Sequence, residues 1–207
     1  YSLKSNPETD KISINPQTMN DEVLKNIGRR HTVAEMIDAF HLARECGFDN
    51  INTDLIAGLS GDTFESFCHS VDEIIALDPE NVTVHTLSMK RASNLTKSQT
   101  VFDLKEGETA AKMVDYARMK LIEHGVKPYY MYRQSKTVGN LENVGYAKQG
   151  YEGLYNVYIM DETHTILACG ASAVTKLREI GGDNIERIFN YKYPYEYVDR
   201  FDELIER

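Results

Sequence analysis

The stretch NINTDLIAGL, Asn50–Leu59, decides how this chain is read. Successive side chains of a strand point to opposite faces. Here one face carries Ile51, Thr53, Leu55, Ala57 and Leu59, and the other carries Asn50, Asn52 and Asp54. A strand buried inside an α/β protein is normally apolar on both sides. Two amides and a carboxylate on the second face therefore need a reason.

The same pattern recurs on either side. KISINP (Lys11–Pro16) reads as a strand in which Ile12 and Ile14 oppose Ser13, Asn15 and Gln17. NVTVHTLSM (Asn81–Met89) sets Val82 and Val84 against Thr83 and His85. Helical periodicity lies between: Asp21–Ile27, a helix opened by the capping-box spacing of Thr32 and Glu35 and ended by Gly47, and an acid-capped helix over Asp62–Leu77. A long helix over Glu106–His124, stopped by Gly125 and Pro128, leads to a fourth strand at Pro128–Gln134. A Gly- and Asn-rich loop, Val138–Gly153, then opens a tail. That tail is read as strands near Tyr155–Met160 and Thr165–Ala171 and a last helix near Tyr195–Glu206. No repeat or linker appears, so residues 1–207 are taken as one region.

Strand alternating with helix argues for βαβ units and a parallel sheet. Two architectures fit the polar faces. One is a two-layer sheet with its polar side in water. The other is an α/β barrel with helices outside and a polar interior, wider or less complete than the closed eight-stranded barrel, whose interior is filled by branched apolar side chains.

Composition narrows the function. The 207 residues are 42% hydrophobic, and 23 basic against 32 acidic residues give a net charge of −9. No basic block exists, which excludes a general nucleic-acid or anionic-membrane surface. No apolar run reaches the ~20 residues of a membrane span. Cys46, Cys68 and Cys169 are too far apart for a metal cluster and odd in number, so the expectation is a reduced, cytoplasmic protein without a disulfide framework. The start at Tyr1, in helix-like sequence, suggests a fragment.

ISINPQTMNDEVLKNIGRRHT, NTDLIAGLSGDT and VHTLSMKRASNL together resemble the oxygen-independent coproporphyrinogen III oxidase group of radical S-adenosylmethionine (SAM) enzymes. GNLENVGYA and LACGASAVTKL resemble its anaerobic coproporphyrinogen dehydrogenase branch. The spacing Gln17-(x)11-Arg29-(x)24-Asp54 is kept along with the words around it. The resemblance implies the C-terminal part of a partial (β/α)6 TIM-like barrel. The second half of the barrel would occupy about residues 11–134, and a family-specific C-terminal extension, 135–207, would pack on it. It also implies a chemistry: a [4Fe–4S] cluster cleaves SAM to a 5′-deoxyadenosyl radical, which takes hydrogen from a propionate of a tetrapyrrole that then becomes a vinyl group. An electron donor serves the cluster. The cofactors carry this chemistry, and the protein positions them.

By the same resemblance, Gln17 is a polar contact to SAM and Arg29 meets its carboxylate or ribose. Asp54 accepts hydrogen bonds from the ribose, with Ile56 near the adenine. Structural roles stand beside these: Gln17 and Asn15 as caps of the following helix, Arg29 as a surface ion pair, Asp54 as a partner of backbone amides. Asn15, Asn52, His85, Arg133 and Asn143 are substrate or pocket candidates. Lys90 and Arg91, the tyrosines 129, 130 and 132, and Asn140 are weaker ones. The alternatives are a satisfied structural histidine for His85, ordinary exposed basic residues for Lys90, Arg91 and Arg133, strand packing for the tyrosines, and turn formation for the Gly-rich loop that holds Asn140 and Asn143.

One departure is large. Three thiolates spaced Cys-x-x-x-Cys-x-x-Cys hold such a cluster, and this chain has no such motif. The cluster ligands are expected upstream of Tyr1, and no metal ligand is assigned here. The functional alternatives are a haem-binding or haem-delivering relative, and an unrelated α/β barrel enzyme that binds a phosphate near Gly58 and Gly61. Asp62 disfavours the second.

Overall fold

The computed structural model describes residues 11–88, 104–134 and 137–206. It divides into two compact units, Tyr1–Gly153 and Leu154–Arg207.

The first unit is built on five strands: β1 (Lys11–Ser13), β2 (Asn50–Ala57), β3 (Asn81–Thr86), β4 (Lys127–Tyr132) and β5 (Asn143–Ala147). Their order in the sheet is β1-β2-β3-β5-β4. The first three are parallel, with Ser13 beside Asn52, Asp54 beside Thr83 and Ile56 beside His85. β5 runs antiparallel to both its neighbours. The expected parallel βαβ order therefore holds for β1 to β3. After that it is corrected, because β5 separates β4 from β3.

β5 falls inside the stretch read as a loop, since its Gly and Asn content hides the strand. Gly145 is needed there for a steric reason: a Cβ at this position would overlap the ring of Tyr130 on β4. The ring lies across the strand where a side chain would stand. The sheet thus continues to Ala147, beyond the expected barrel limit at residue 134.

Local chemistry explains the helices. α1 (Asp21–Asn26) is capped by Asn20, whose Oδ1 accepts from the amides of Glu22 and Val23. Neither Gln17 nor Asn15 is that cap. α2 (Val33–Glu45) has the predicted capping box of Thr32 and Glu35. α3 (Phe64–Ala76) begins later than expected, because the Thr63 hydroxyl, not Asp62, accepts from Ser66 N. α4 (Leu104–Glu123) ends before Gly125, which takes a left-handed φ of 86°.

These helices cover one face of the sheet. Leu55, Ala57, Val82, Val84 and Tyr146 pack with Met36 of α2, Phe67, Val71 and Ile74 of α3, and Met113, Ala117 and Leu121 of α4. Ile51 packs with Phe40 and Ala43 of α2. On β2 burial alternates strictly, and Asn50, Asn52, Asp54 and Ile56 are the partly exposed half.

At the amino-terminal ends of β2 and β3, the buried Glu80 carboxylate accepts from Ile51 N at 2.9 Å and from Arg44 at 2.9 Å, and pairs with Lys148 at 3.3 Å. Asp78 continues the group to Lys148 and His124, both at 2.9 Å. Side chains from α2, from the residue after β5 and from the end of α4 thus meet on one turn.

The second unit differs from the sequence reading in its strands, while its last stretch is helical as expected. Leu154–Asp161 is a helix, α5, rather than a strand. Within Thr165–Ala171 only Ile166 pairs, through an isolated bridge to Lys176. The strands are β6 (Val174–Arg178) and β7 (Ile185–Phe189), an antiparallel pair. The last helix is two short ones, α6 (Pro194–Asp199) and α7 (Phe201–Ile205), broken at Arg200. No described residue of this unit is fully buried. The aromatic and branched residues of α5 favour strands only on a half-buried pleated surface, and that context is missing here.

Candidate cofactor site

The partly exposed face of the first unit gathers its polar groups around Asp54. Asn52 Nδ2 donates to Asp54 Oδ1 at 3.0 Å. His85 Nε2 lies 3.7 Å from Asp54 Oδ2, an ion-pair rather than a hydrogen-bond distance. Burial alone would push the Asp54 carboxyl up. His85 and the hydrogen bonds of Asn52 and Thr83 outweigh it and hold the group below the usual carboxylate range. The Asp54 side chain keeps 19% of its surface exposed, so its oxygens remain open to a ligand.

β4 adds an aromatic edge. Tyr132 and His85 Nδ1 are 3.3 Å apart, and Tyr130 and the Thr83 hydroxyl 3.4 Å. The two tyrosine rings are parallel within 1°, with centroids 6.3 Å apart. Burial pushes the Tyr130 phenol up to about 12 and raises that of Tyr132, so both carry their protons at neutral pH. Gly145 leaves room for these rings to reach over β5. Toward the other end of the face, Lys11 Nζ donates to Asn81 Oδ1 at 3.2 Å, and Asn81 Nδ2 to Asn50 Oδ1 at 3.0 Å.

Gln17 is set by its backbone. Its amide donates to Asp54 O at 3.0 Å and its carbonyl accepts from Ile56 N at 2.9 Å, so it extends β1 along β2 past Pro16. It does so at φ 71°, a left-handed conformation that costs a non-glycine residue about 1 kcal/mol or more. Ile56 is partly exposed beside His85.

The structure thus brings Asn52, Asp54, Ile56 and His85 together, with Gln17 braced against the same strand. It does not bring in the others. Asn15 is exposed, and its carbonyl accepts weakly from Gln17 Nε2 at 3.5 Å. Arg29 is exposed, and among the described residues no ion pair engages its side chain. Arg133 is tied to Glu142 at the surface. Asn143 is buried, and its Oδ1 accepts from Thr86 N at 2.7 Å, which makes it a bracket between β3 and β5. Lys90 and Arg91 lie outside the described residues. Sequence reasoning missed the linkage of Thr83 and Lys11 to this group. The available signal was their two-residue spacing in register with residues already singled out.

Comparison with known proteins now becomes informative. The radical SAM superfamily profile matches residues 2–74, the segment that holds Gln17, Arg29, Asp54 and Ile56. An oxygen-independent coproporphyrinogen-III oxidase-like protein, HemZ of Bacillus subtilis (strain 168), is 45% identical over 195 residues. The chain thus carries a radical SAM domain segment and is a homologue of a coproporphyrinogen oxidase-like protein.

The match to HemZ covers 94% of this chain and 39% of that protein. The heme chaperone HemW of the same organism is 29% identical over 194 residues, 92% of this chain and 46% of the relative. Coproporphyrinogen III oxidase (HemN) from Escherichia coli superposes with a TM-score of 0.66 at 18% identity, over 97% of this chain and 47% of that one. The open sheet with helices on one face is therefore a fragment of the radical SAM barrel. The chain spans less than half the length of these relatives.

The superfamily implies SAM and a [4Fe–4S] cluster. The cluster does not fit the residues present. Among the described residues no group of three or more His, Cys, Asp or Glu is placed to hold a metal ion, and all three cysteines are free, two of them exposed. A nucleoside does fit. Asp54 offers an ionised double acceptor to a ribose diol, and Ile56 an apolar neighbour to a base. No helix among the described residues is long and apolar enough to cross a membrane.

Proposed function

We propose that this chain forms the SAM- and substrate-facing half of a radical SAM oxidoreductase that oxidatively decarboxylates propionate side chains of coproporphyrinogen III. The observation that carries the reading is the Asp54 carboxylate. It is kept ionised by Asn52, Thr83 and His85, it remains partly open, and it stands on the one sheet face that the helices leave uncovered. The radical SAM domain segment and the 45% identity to an oxidase-like relative support it.

When bound, the cluster and SAM supply the radical chemistry; this chain's residues supply placement. Asp54 holds the ribose hydroxyls, Ile56 flanks the adenine, and Gln17 keeps the first strand locked along the strand of Asp54. The overall conversion turns –CH2–CH2–COO⁻ into –CH=CH2 and carbon dioxide, releasing one proton and two electrons to an acceptor outside this chain. The tyrosines 130 and 132 offer a flat aromatic edge to the substrate macrocycle. In this reading the tail beyond β5 is the family-specific extension, and the protein works in the cytoplasm.

The identity to HemW favours one second reading, haem binding without turnover. Anaerobic incubation of the full-length protein with SAM, reductant and coproporphyrinogen III separates the two. Oxidase activity predicts a porphyrinogen lighter by one carbon dioxide and two hydrogens for each propionate converted, with 5′-deoxyadenosine formed alongside. Stoichiometric haem binding with no mass change would replace the oxidase reading by the chaperone one.

A further inference from the structure

Asp54 stands at the end of a chain of polar contacts that begins on a different strand. Tyr132 of β4 lies 3.3 Å from His85 Nδ1, and the other ring nitrogen of His85 faces Asp54 Oδ2 at 3.7 Å. The two nitrogens of a neutral imidazole differ: one carries the proton and the other accepts, and a partner at one of them sets the tautomer. If the phenol of Tyr132 donates to Nδ1, the ring proton is on Nε2, the atom that faces the carboxylate.

Everything along the path is braced. His85 and Tyr132 meet edge to face with centroids 6.4 Å apart, and Tyr132 stacks on Tyr130. Tyr130 rests in the space left by Gly145 and reaches the Thr83 hydroxyl, which itself bonds Asp54. Asn52 occupies the other carboxylate oxygen, Oδ1. Asn52, Thr83 and His85 thus hold the carboxylate from several sides, and its side chain stays partly exposed.

We propose that Tyr132 fixes His85 as the Nε2-protonated tautomer, and that His85 in turn orients Asp54 as a paired acceptor for a vicinal diol. His85 and Tyr132 are positioning residues in this scheme and touch no reacting atom. The inference rests on the proposed function for the identity of the diol as the ribose of SAM, and it adds a specificity element. A carboxylate held from both sides discriminates against a ligand that lacks one hydroxyl, because the vacated acceptor is left unpaired.

The test uses the full-length protein with S-adenosylhomocysteine as probe. Calorimetry gives the affinity, and nitrogen-15 NMR of labelled histidine gives the tautomer. In the unsubstituted protein His85 should show a protonated Nε2 and an accepting Nδ1. Tyr132→Phe should mix the tautomers and weaken the probe by about threefold. His85→Ala should weaken it by about tenfold, and His85→Gln, whose amide keeps a donor toward Asp54, should recover most of that loss. Melting temperatures of all three variants exclude simple unfolding. Wild-type affinity in both His85→Ala and Tyr132→Phe, a protonated Nδ1 in the unsubstituted protein, or no recovery by His85→Gln overturns the relay. Unchanged binding in Asp54→Asn is a separate result, and it takes Asp54 itself out of the cofactor site.

Discussion

Replacing Asp54 with Asn keeps the shape of the side chain and removes its charge. Hydrogen bonds to a charged group are worth roughly 1.5–3 kcal/mol, so SAM affinity of the full-length protein should fall about ten- to a hundredfold. The melting temperature should fall only modestly, by the stability that the ionised carboxylate contributes. The opposite pattern, intact affinity with lost stability, would make Asp54 a purely structural residue. Acid titration gives a second check. The folded Asp54 carboxyl titrates below the value of 3.8 taken for the free side chain. Its contribution to stability is therefore fully present above pH 3.8 and is lost as pH falls through the depressed value. In His85→Ala the main opposing influence is gone and burial pushes the carboxyl up. Carbon-13 NMR of the Asp54 carboxyl should show the midpoint move to higher pH in that variant. Tyr146 offers a contrast on the covered face. Its hydroxyl is buried with no partner among the described residues, and burial pushes the phenol up to about 12. Tyr146→Phe should leave stability unchanged or raise it by about 1 kcal/mol in urea denaturation.

Between elements, two contacts decide how the sheet is assembled. Gly145 lets Tyr130 lie across β5, and any Cβ there displaces the ring. Gly145→Ala should cost about 1–3 kcal/mol in urea denaturation. Combining it with Tyr130→Ala, which removes the obstacle, should cost less than the sum of the two single changes. Strict additivity would mean that the ring and the glycine are independent. The second contact is the ion group on the turn between α3 and β3. Glu80 is buried and accepts from the first buried amide of β2, so Glu80→Ala leaves Ile51 N and Arg44 without their acceptor. Breaking a buried pair from one side costs about 3–5 kcal/mol, and thermal unfolding should register a loss of that order. This group sits at the strand ends opposite to those that carry Ile56 and His85. In barrels of this kind, residues at that end serve stability and those at the other end serve the ligand.

For the whole molecule, the consequence concerns the metal. The described residues hold no metal-ligating group, and the three cysteines are dispersed. Anaerobic reconstitution of the 207-residue chain by itself should yield no stoichiometric [4Fe–4S] cluster and no 5′-deoxyadenosine from SAM. Iron counting and chromatography of the products check both. A bound cluster at one per chain would mean that Cys46, Cys68 and Cys169 gather in a way the fold does not show. The open sheet has a further consequence. Among the described residues β1 ends one side of the strand order, and the outer backbone groups of such an edge are a template for another strand.

The sequence by itself determined the parallel core and its two unlike faces. Periodicity of two in KISINP, NINTDLIA and NVTVHT separates an apolar from a polar side, and on β2, where one side is covered by helices, burial follows that alternation residue by residue. The caps at Thr32 and the stop at Gly125 are equally local, and both are where the spacing put them. Asp54 and His85 were legible for the same reason. Their connection to Tyr132 was not, and neither was the place of β5, because antiparallel insertion between β3 and β4 depends on a ring lying over a glycine from another strand. Nor could the sequence separate Asn143 and Arg133 from the site residues, since one is bound to a neighbouring strand's amide and the other to Glu142. The second unit shows the limit most clearly. With no described residue fully buried, it has no inside and outside for hydrophobic alternation to report, so strand-like composition at Leu154–Asp161 folds as a helix and the true strands lie elsewhere.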